Sequence, residues 1–246
     1  MEYKEYGSDN SEMLVFLHGG GVGGWMWDNQ VKFFSSKYHC LVPEIVAMDK
    51  SYGGHFTIEK AADEVIQLVE SARKQKPVSI VGFSLGAQIA LSAISKEPTI
   101  FKAAMINSAL VKPVPFAKLL IKAMLPTLAL TKNRTFSDIQ AKSMYIEKEY
   151  LETYYLSNKG INSRPFADIM TENMIYTIPP TFSDSSSKIL LTIGEKEIRS
   201  IKTSLKDLSQ ANHAAHTFIV PNIGHGFPLA TPELFNKTLD KFLVEA

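Results

Sequence analysis

Apolar residues along this chain gather in short runs, separated by longer stretches of mixed polarity. Met13-Leu14-Val15-Phe16-Leu17, Val78-Ser79-Ile80-Val81, Ala103-Ala104-Met105-Ile106, Ile189-Leu190-Leu191-Thr192-Ile193 and Thr217-Phe218-Ile219-Val220 have the length and composition of buried strands. The pattern predicts strands near residues 2–6, 13–18, 38–43, 78–83, 103–108, 188–194 and 216–221. Helices are predicted over about 27–36, 57–75, 85–96, 198–211 and 231–244. Thr57 is a candidate N-cap, and Pro232 suits a first helical position. Strands that alternate with helices imply an α/β fold, with a parallel sheet and crossover helices.

Residues 111–185 interrupt that alternation. They hold Pro113, Pro115, Pro126, Pro165, Pro179 and Pro180 and no convincing strand. Five of the nine tyrosines fall here (Tyr145, Tyr150, Tyr154, Tyr155 and Tyr176), with Met124, Met144, Met170 and Met174. Amphipathic helices are expected around 116–130, 135–157 and 163–176. The apolar run near 119–130 is too short and too broken, by Lys122 and Pro126, to cross a membrane.

Chemistry collects just beyond the strand ends. Gly82-Phe83-Ser84-Leu85-Gly86 lies between a buried strand and a helix-compatible run. That context puts a serine on a tight, strained turn with its hydroxyl exposed. A serine hydroxyl is a weak nucleophile and needs a base, a group orienting the base, and donors for an oxyanion. His18-Gly19-Gly20-Gly21 follows the strand at 13–18, Gly194-Glu195-Lys196-Glu197 that at 188–194, and Gly224-His225-Gly226 the last one. Ligand groups of open parallel sheets gather at this edge.

These motifs, in this order, resemble the α/β-hydrolase family, and the resemblance runs over most of the chain. It implies an α/β-hydrolase fold: a mostly parallel sheet of six to seven strands, flanking helices and an inserted helical cap. Residues 1–110 and 186–246 would form the core and 111–185 the cap. The family's first hairpin is expected to be shortened or partly missing, since only about a dozen residues precede the strand at 13–18. Carried over residue by residue, Ser84 is the nucleophile and His225 the base. The backbone N–H groups of Gly20 and Leu85 form the oxyanion hole. The G-x-x-D pattern of the family places Glu197 on the acid, with Glu195 the competitor two residues earlier. The implied reaction is hydrolysis of small to medium uncharged carboxylic esters through an acyl-enzyme. A C–C hydrolase or lyase, a perhydrolase, or a non-catalytic ligand-binding protein would share the same scaffold.

The remaining candidates read as structural. His39 lies inside a strand pattern, His213 and His216 flank a strand start, and His18 suits bracing the glycine loop. His55, in Gly53-Gly54-His55-Phe56, sits in a loop that the family leaves near the active site, and a structural role is expected. Trp25 and Trp27 either wall a pocket or pack the next helix. Cys40, the single cysteine, excludes an internal disulfide, suits a reducing cytoplasm and reads as a small buried hydrophobe.

Composition then narrows the partners. Lys plus Arg is 26 against 25 for Asp plus Glu, which removes an electrostatic case for nucleic acid or an anionic membrane. The N-terminal residues lack the layout of a signal peptide. No metal-ligand spacing appears. The expectation is a cytoplasmic protein with a small-molecule ester-like substrate, no cofactor, no metal and no integral membrane segment. The sequence leaves the oligomeric state open.

Overall fold

A computed structural model describes residues 1–45, 54–159 and 161–246. Gly53 of the loop at 53–56 lies outside the described residues, as do residues 46–52 of the 1–110 unit and residue 160 of the 111–185 unit. The chain opens with β1 (Tyr3–Tyr6), β2 (Met13–Leu17), α1 (Asp28–Phe34), β3 (His39–Pro43), α2 (Ile58–Ala72), β4 (Val78–Phe83), α3 (Leu85–Lys96) and β5 (Phe101–Asn107). Four helices follow: α4 (Ala117–Met124), α5 (Arg134–Ser143), α6 (Leu151–Lys159) and α7 (Ser163–Ile175). The chain then returns to β6 (Lys188–Gly194), α8 (Arg199–Ala211), β7 (His216–Val220), α9 (Phe227–Ala230) and α10 (Pro232–Val244).

The seven strands form one sheet in the order β1-β3-β2-β4-β5-β6-β7. Only β1 runs antiparallel, pairing Tyr3 with Pro43 and Tyr6 with Cys40. β1 is an edge strand, which pairs with β3 and not with its neighbour in sequence. Strand pleating sends alternate residues to opposite layers. Met13, Val15 and Leu17 pack with α2 and α3, while Leu14 and Phe16 pack with Trp27, Phe34 and Phe235. Every residue of β2 is therefore buried, as expected for a parallel strand covered on both faces.

Helix boundaries follow local chemistry. Thr57 caps α2 by accepting from the Lys60 N–H at 3.1 Å. The expected helix at 116–130 ends at Met124 and tightens into a 3-10 turn over Leu125–Lys132, where Pro126 cannot donate to the preceding turn. The stretch 135–157 is two helices, α5 and α6, because Tyr145 adopts a left-handed φ of 60° between them. Trp27 is fully buried against Phe16 and Phe235, so it packs the core. Trp25 stacks on Tyr150 with ring centroids 5.1 Å apart, and the Tyr150 hydroxyl donates to Asp28 at 3.0 Å. That contact fastens the segment between β5 and β6 to the start of α1. Among the described residues, no helix is long and apolar enough to cross a membrane.

Candidate active site

The turn after β4 determines where the serine points. Ser84 has φ 54° and ψ −112°, outside the helical and extended regions, and α3 begins at the next residue. The glycines on either side permit this. A Cβ on Gly82 would collide with the Gly86 carbonyl, and one on Gly86 would collide with the Leu17 carbonyl at the end of β2. The start of α3 is thus packed closely on β4, the strand it leaves, and on β2. The Ser84 N–H donates to the Asn107 carbonyl at 2.9 Å, which ties the turn to β5. The first amides of α3 point back toward the serine, where the helix dipole favours negative charge.

His225 follows β7 and Glu197 follows β6. The His225 Nδ1 lies 2.8 Å from Glu197 Oε1, and Glu197 is only 6% exposed. A buried carboxylate at Nδ1 holds the imidazole with Nε2 free to accept a proton. The face of His225 rests 5.0 Å from the Phe83 ring, measured between centroids. Glu195 points elsewhere, its carboxylate accepting from the Asn222 N–H at 2.8 Å. The alternative left open by the sequence thus separates geometrically: one glutamate meets the histidine and the other fastens the loop before it.

Two cavities meet at Ser84. One, of about 270 Å3, is lined by Ser84, Gly20, Leu85, Phe136, Tyr154 and Met170 among others. The other, of about 600 Å3, is lined by Ser84, His225, Glu197, Val114, Met174 and Ile201 among others. Gly20 and Leu85 therefore share a wall with the serine, while His225 belongs to the larger side alone. Among the described residues, no hydrogen bond joins the Ser84 hydroxyl to His225; such contacts often tighten only with substrate bound.

The helical segment between β5 and β6 also reaches the loops that carry these groups. Asn158 Nδ2 donates to the Gly21 carbonyl at 3.0 Å, and the Tyr145 hydroxyl accepts from the Gly224 N–H at 3.0 Å. One bond supports the glycine loop and the other the histidine loop. Sequence reasoning did not single out Asn158. Tyr145 was visible only as one member of the tyrosine cluster at 111–185. His18 braces the same glycine loop: its Nδ1 donates to the Gly19 carbonyl at 2.8 Å and its Nε2 accepts from the Ile45 N–H at 3.0 Å. His55 Nδ1 lies 3.0 Å from Asp168 Oδ2 on α7, and His39 Nε2 lies 2.6 Å from Glu5 Oε1 on β1. His213 and His216 are exposed at the edge of the sheet.

Known proteins share the sequence pattern and the fold. A sequence profile described as "Alpha/beta hydrolase family" matches residues 14–238. The chain belongs to the alpha/beta hydrolase family. Ethanol acetyltransferase 1 of Hanseniaspora uvarum is 35% identical over 167 residues, which cover 63% of this chain and 49% of that protein. The chain thus spans about half the length of this relative. The uncharacterized hydrolase YugF of Bacillus subtilis is 24% identical and aligns over 98% of this chain and 93% of its own length. Among solved structures, the alpha/beta hydrolase MGS-M2 from a Medee basin deep-sea metagenome superposes with a TM-score of 0.84. That match covers 100% of this chain and 94% of the other at 18% identity, and it shows the shared fold.

Proposed function

We propose that this member of the family is a serine hydrolase that cleaves small to medium uncharged carboxylic esters through an acyl-enzyme. The observation that carries the reading is the pairing of buried Glu197 with half-buried His225, at 2.8 Å, on the wall of a cavity that also holds Ser84 on its left-handed turn. His225 takes the Ser84 proton as the hydroxyl attacks the ester carbonyl, and Glu197 stabilises the imidazolium. The N–H groups of Gly20 and Leu85 meet the tetrahedral oxyanion; losing one such donor costs about 3–4 kcal/mol in an enzyme of this kind. His225 then protonates the departing alcohol and activates water to release the acid. Residues 111–185 act as a cap that covers the serine and excludes water from the two cavities.

The test is direct. A fluorophosphonate probe is expected to label the wild type at Ser84, as read by peptide mass spectrometry. Ser84→Ala is expected to lose both labelling and turnover of 4-nitrophenyl butanoate while melting at the wild-type temperature. A variant that retains more than about a tenth of the activity would remove Ser84 from the role, because loss of a nucleophile costs many orders of magnitude.

Acyl transfer to an alcohol is a second reading, favoured by the 35% identical relative named as an ethanol acetyltransferase. It predicts that added ethanol diverts the acyl-enzyme to ethyl ester, whereas a strict hydrolase releases acid alone.

A further inference from the structure

Two serines stand on left-handed backbone at neighbouring strand ends. Ser84 follows β4 with φ 54°, and Ser108 follows β5 with φ 56°. Their amides step along the sheet, with the Ser108 N–H donating to the Thr192 carbonyl at 2.8 Å. Such conformations are uncommon outside glycine and collect at working sites. Ser108 is 1% exposed, its hydroxyl has no hydrogen-bond partner among the described residues, and it lines the larger cavity with Ser84 and His225.

A second polar residue, Asn173, lines the same space. Gln88, fully buried one turn into α3, donates through Nε2 to the carbonyls of Leu110 at 2.6 Å and Asn173 at 3.0 Å. Carbonyls only accept, so the orientation of the Gln88 amide is fixed. Its Oε1 must then accept, and it does so from Asn173 Nδ2 at 2.9 Å. This fixes the Asn173 amide in turn. Asn173 Oδ1 is left as an acceptor without a partner among the described residues, on a residue that lines both cavities. The surrounding wall, including Leu110, Val114, Met174 and Ile201, is apolar.

A hydroxyl buried without a partner, Ser108 Oγ, and an acceptor on half-buried Asn173, both on an apolar wall, favour a ligand that brings a hydroxyl of its own, because a polar group buried without a partner is costly. His225 lies on this side, and the departing oxygen must take its proton, so the larger cavity holds the alcohol portion. Building on the proposed ester hydrolysis, we infer that the preferred substrates are monoesters of diols. Their free hydroxyl donates to Asn173 Oδ1 and accepts from Ser108 Oγ. Asn173 and Ser108 are thus specificity-determining residues.

The experiment compares kcat/KM for 2-hydroxyethyl, 3-hydroxypropyl and 4-hydroxybutyl butanoates with that for propyl, butyl and pentyl butanoates. Each pair matches in heavy-atom count, and rates are normalised to hydroxide-catalysed hydrolysis. The wild type is expected to prefer the hydroxy ester by about tenfold at one chain length or more, the size of one net hydrogen bond. Ser108→Ala is expected to bring that ratio close to one. Ser108→Gly, whose backbone suits the left-handed turn, is expected to do the same and guards against misfolding. Equal cleavage of both series by the wild type, or a ratio unchanged in both variants, would overturn the inference alone. Cleavage of neither series, with Ser84 unlabelled by fluorophosphonate, would overturn the ester reading and the inference with it.

Discussion

Glu195 and Glu197 leave the same loop for different partners, and a single amide substitution separates their contributions. Glu197 pairs with His225 at 2.8 Å, so Glu197→Gln keeps the shape and removes the charge behind the imidazolium. Turnover is expected to fall about 10,000-fold, as in a comparable triad. Glu195→Gln retains an acceptor for the Asn222 N–H and is expected to turn over near the wild-type rate. Steady-state kinetics with 4-nitrophenyl butanoate measure both. Cys40 gives an independent check on the core. Burial in β3 pushes its thiol up to about 12, so alkylation by iodoacetamide at pH 8 is expected only after unfolding in urea. At this scale the sequence was legible wherever a motif fixes a spacing: Ser84, His225 and the Gly20 loop all stand at one sheet edge. Ser108 and Asn173 were not legible. A left-handed φ at a serine and an amide oriented by Gln88 leave no spacing signature in a chain.

The strands were readable because burial on both faces leaves continuous apolar runs, and α3 was found with its bounds at Leu85 and Lys96. The helices between β5 and β6 were less so. Their faces answer to two cavities and to the sheet edge, so a single amphipathic period does not describe them. Tyr145 shows the difficulty, since one left-handed residue divides an expected helix into α5 and α6. Elements that line different cavities should control different halves of a substrate. Tyr154 of α6 borders the smaller cavity, and Met174 of α7 borders the larger. Tyr154→Ala is expected to shift preference toward longer acyl chains, and Met174→Ala toward bulkier alcohols. A matrix of acyl and alcohol lengths measures both. The joint of α3 with β2 is tighter. The added methyl of Gly86→Ala would meet the Leu17 carbonyl, and such overpacking costs about 3 kcal/mol. A melting temperature lower by roughly 6–12 °C is expected by calorimetry.

Across the whole molecule, the proposed chemistry belongs to the sheet edge and the proposed cap to the segment between β5 and β6. Among the contacts that join the two are those of Asn158 to the glycine loop, Tyr145 to the histidine loop, Asn173 to Gln88, and Tyr150 to Trp25 and Asp28. The alternation of strands and helices made the first half readable, whereas these joints depend on residues 79 to 137 positions apart in the chain. The Trp25 joint has an optical consequence. The chain has two tryptophans, and Trp27 is sealed in the core, so its emission stays constant while the fold holds. Trp25 is stacked on Tyr150 of the segment between β5 and β6, and any separation of the two rings moves the indole from an aromatic partner into water. Its fluorescence would shift to the red as the segment lifts and return as it settles. Opening of the proposed cap would thus carry its own optical signal, which stopped-flow mixing with a slow-cleaving ester would read without an added dye.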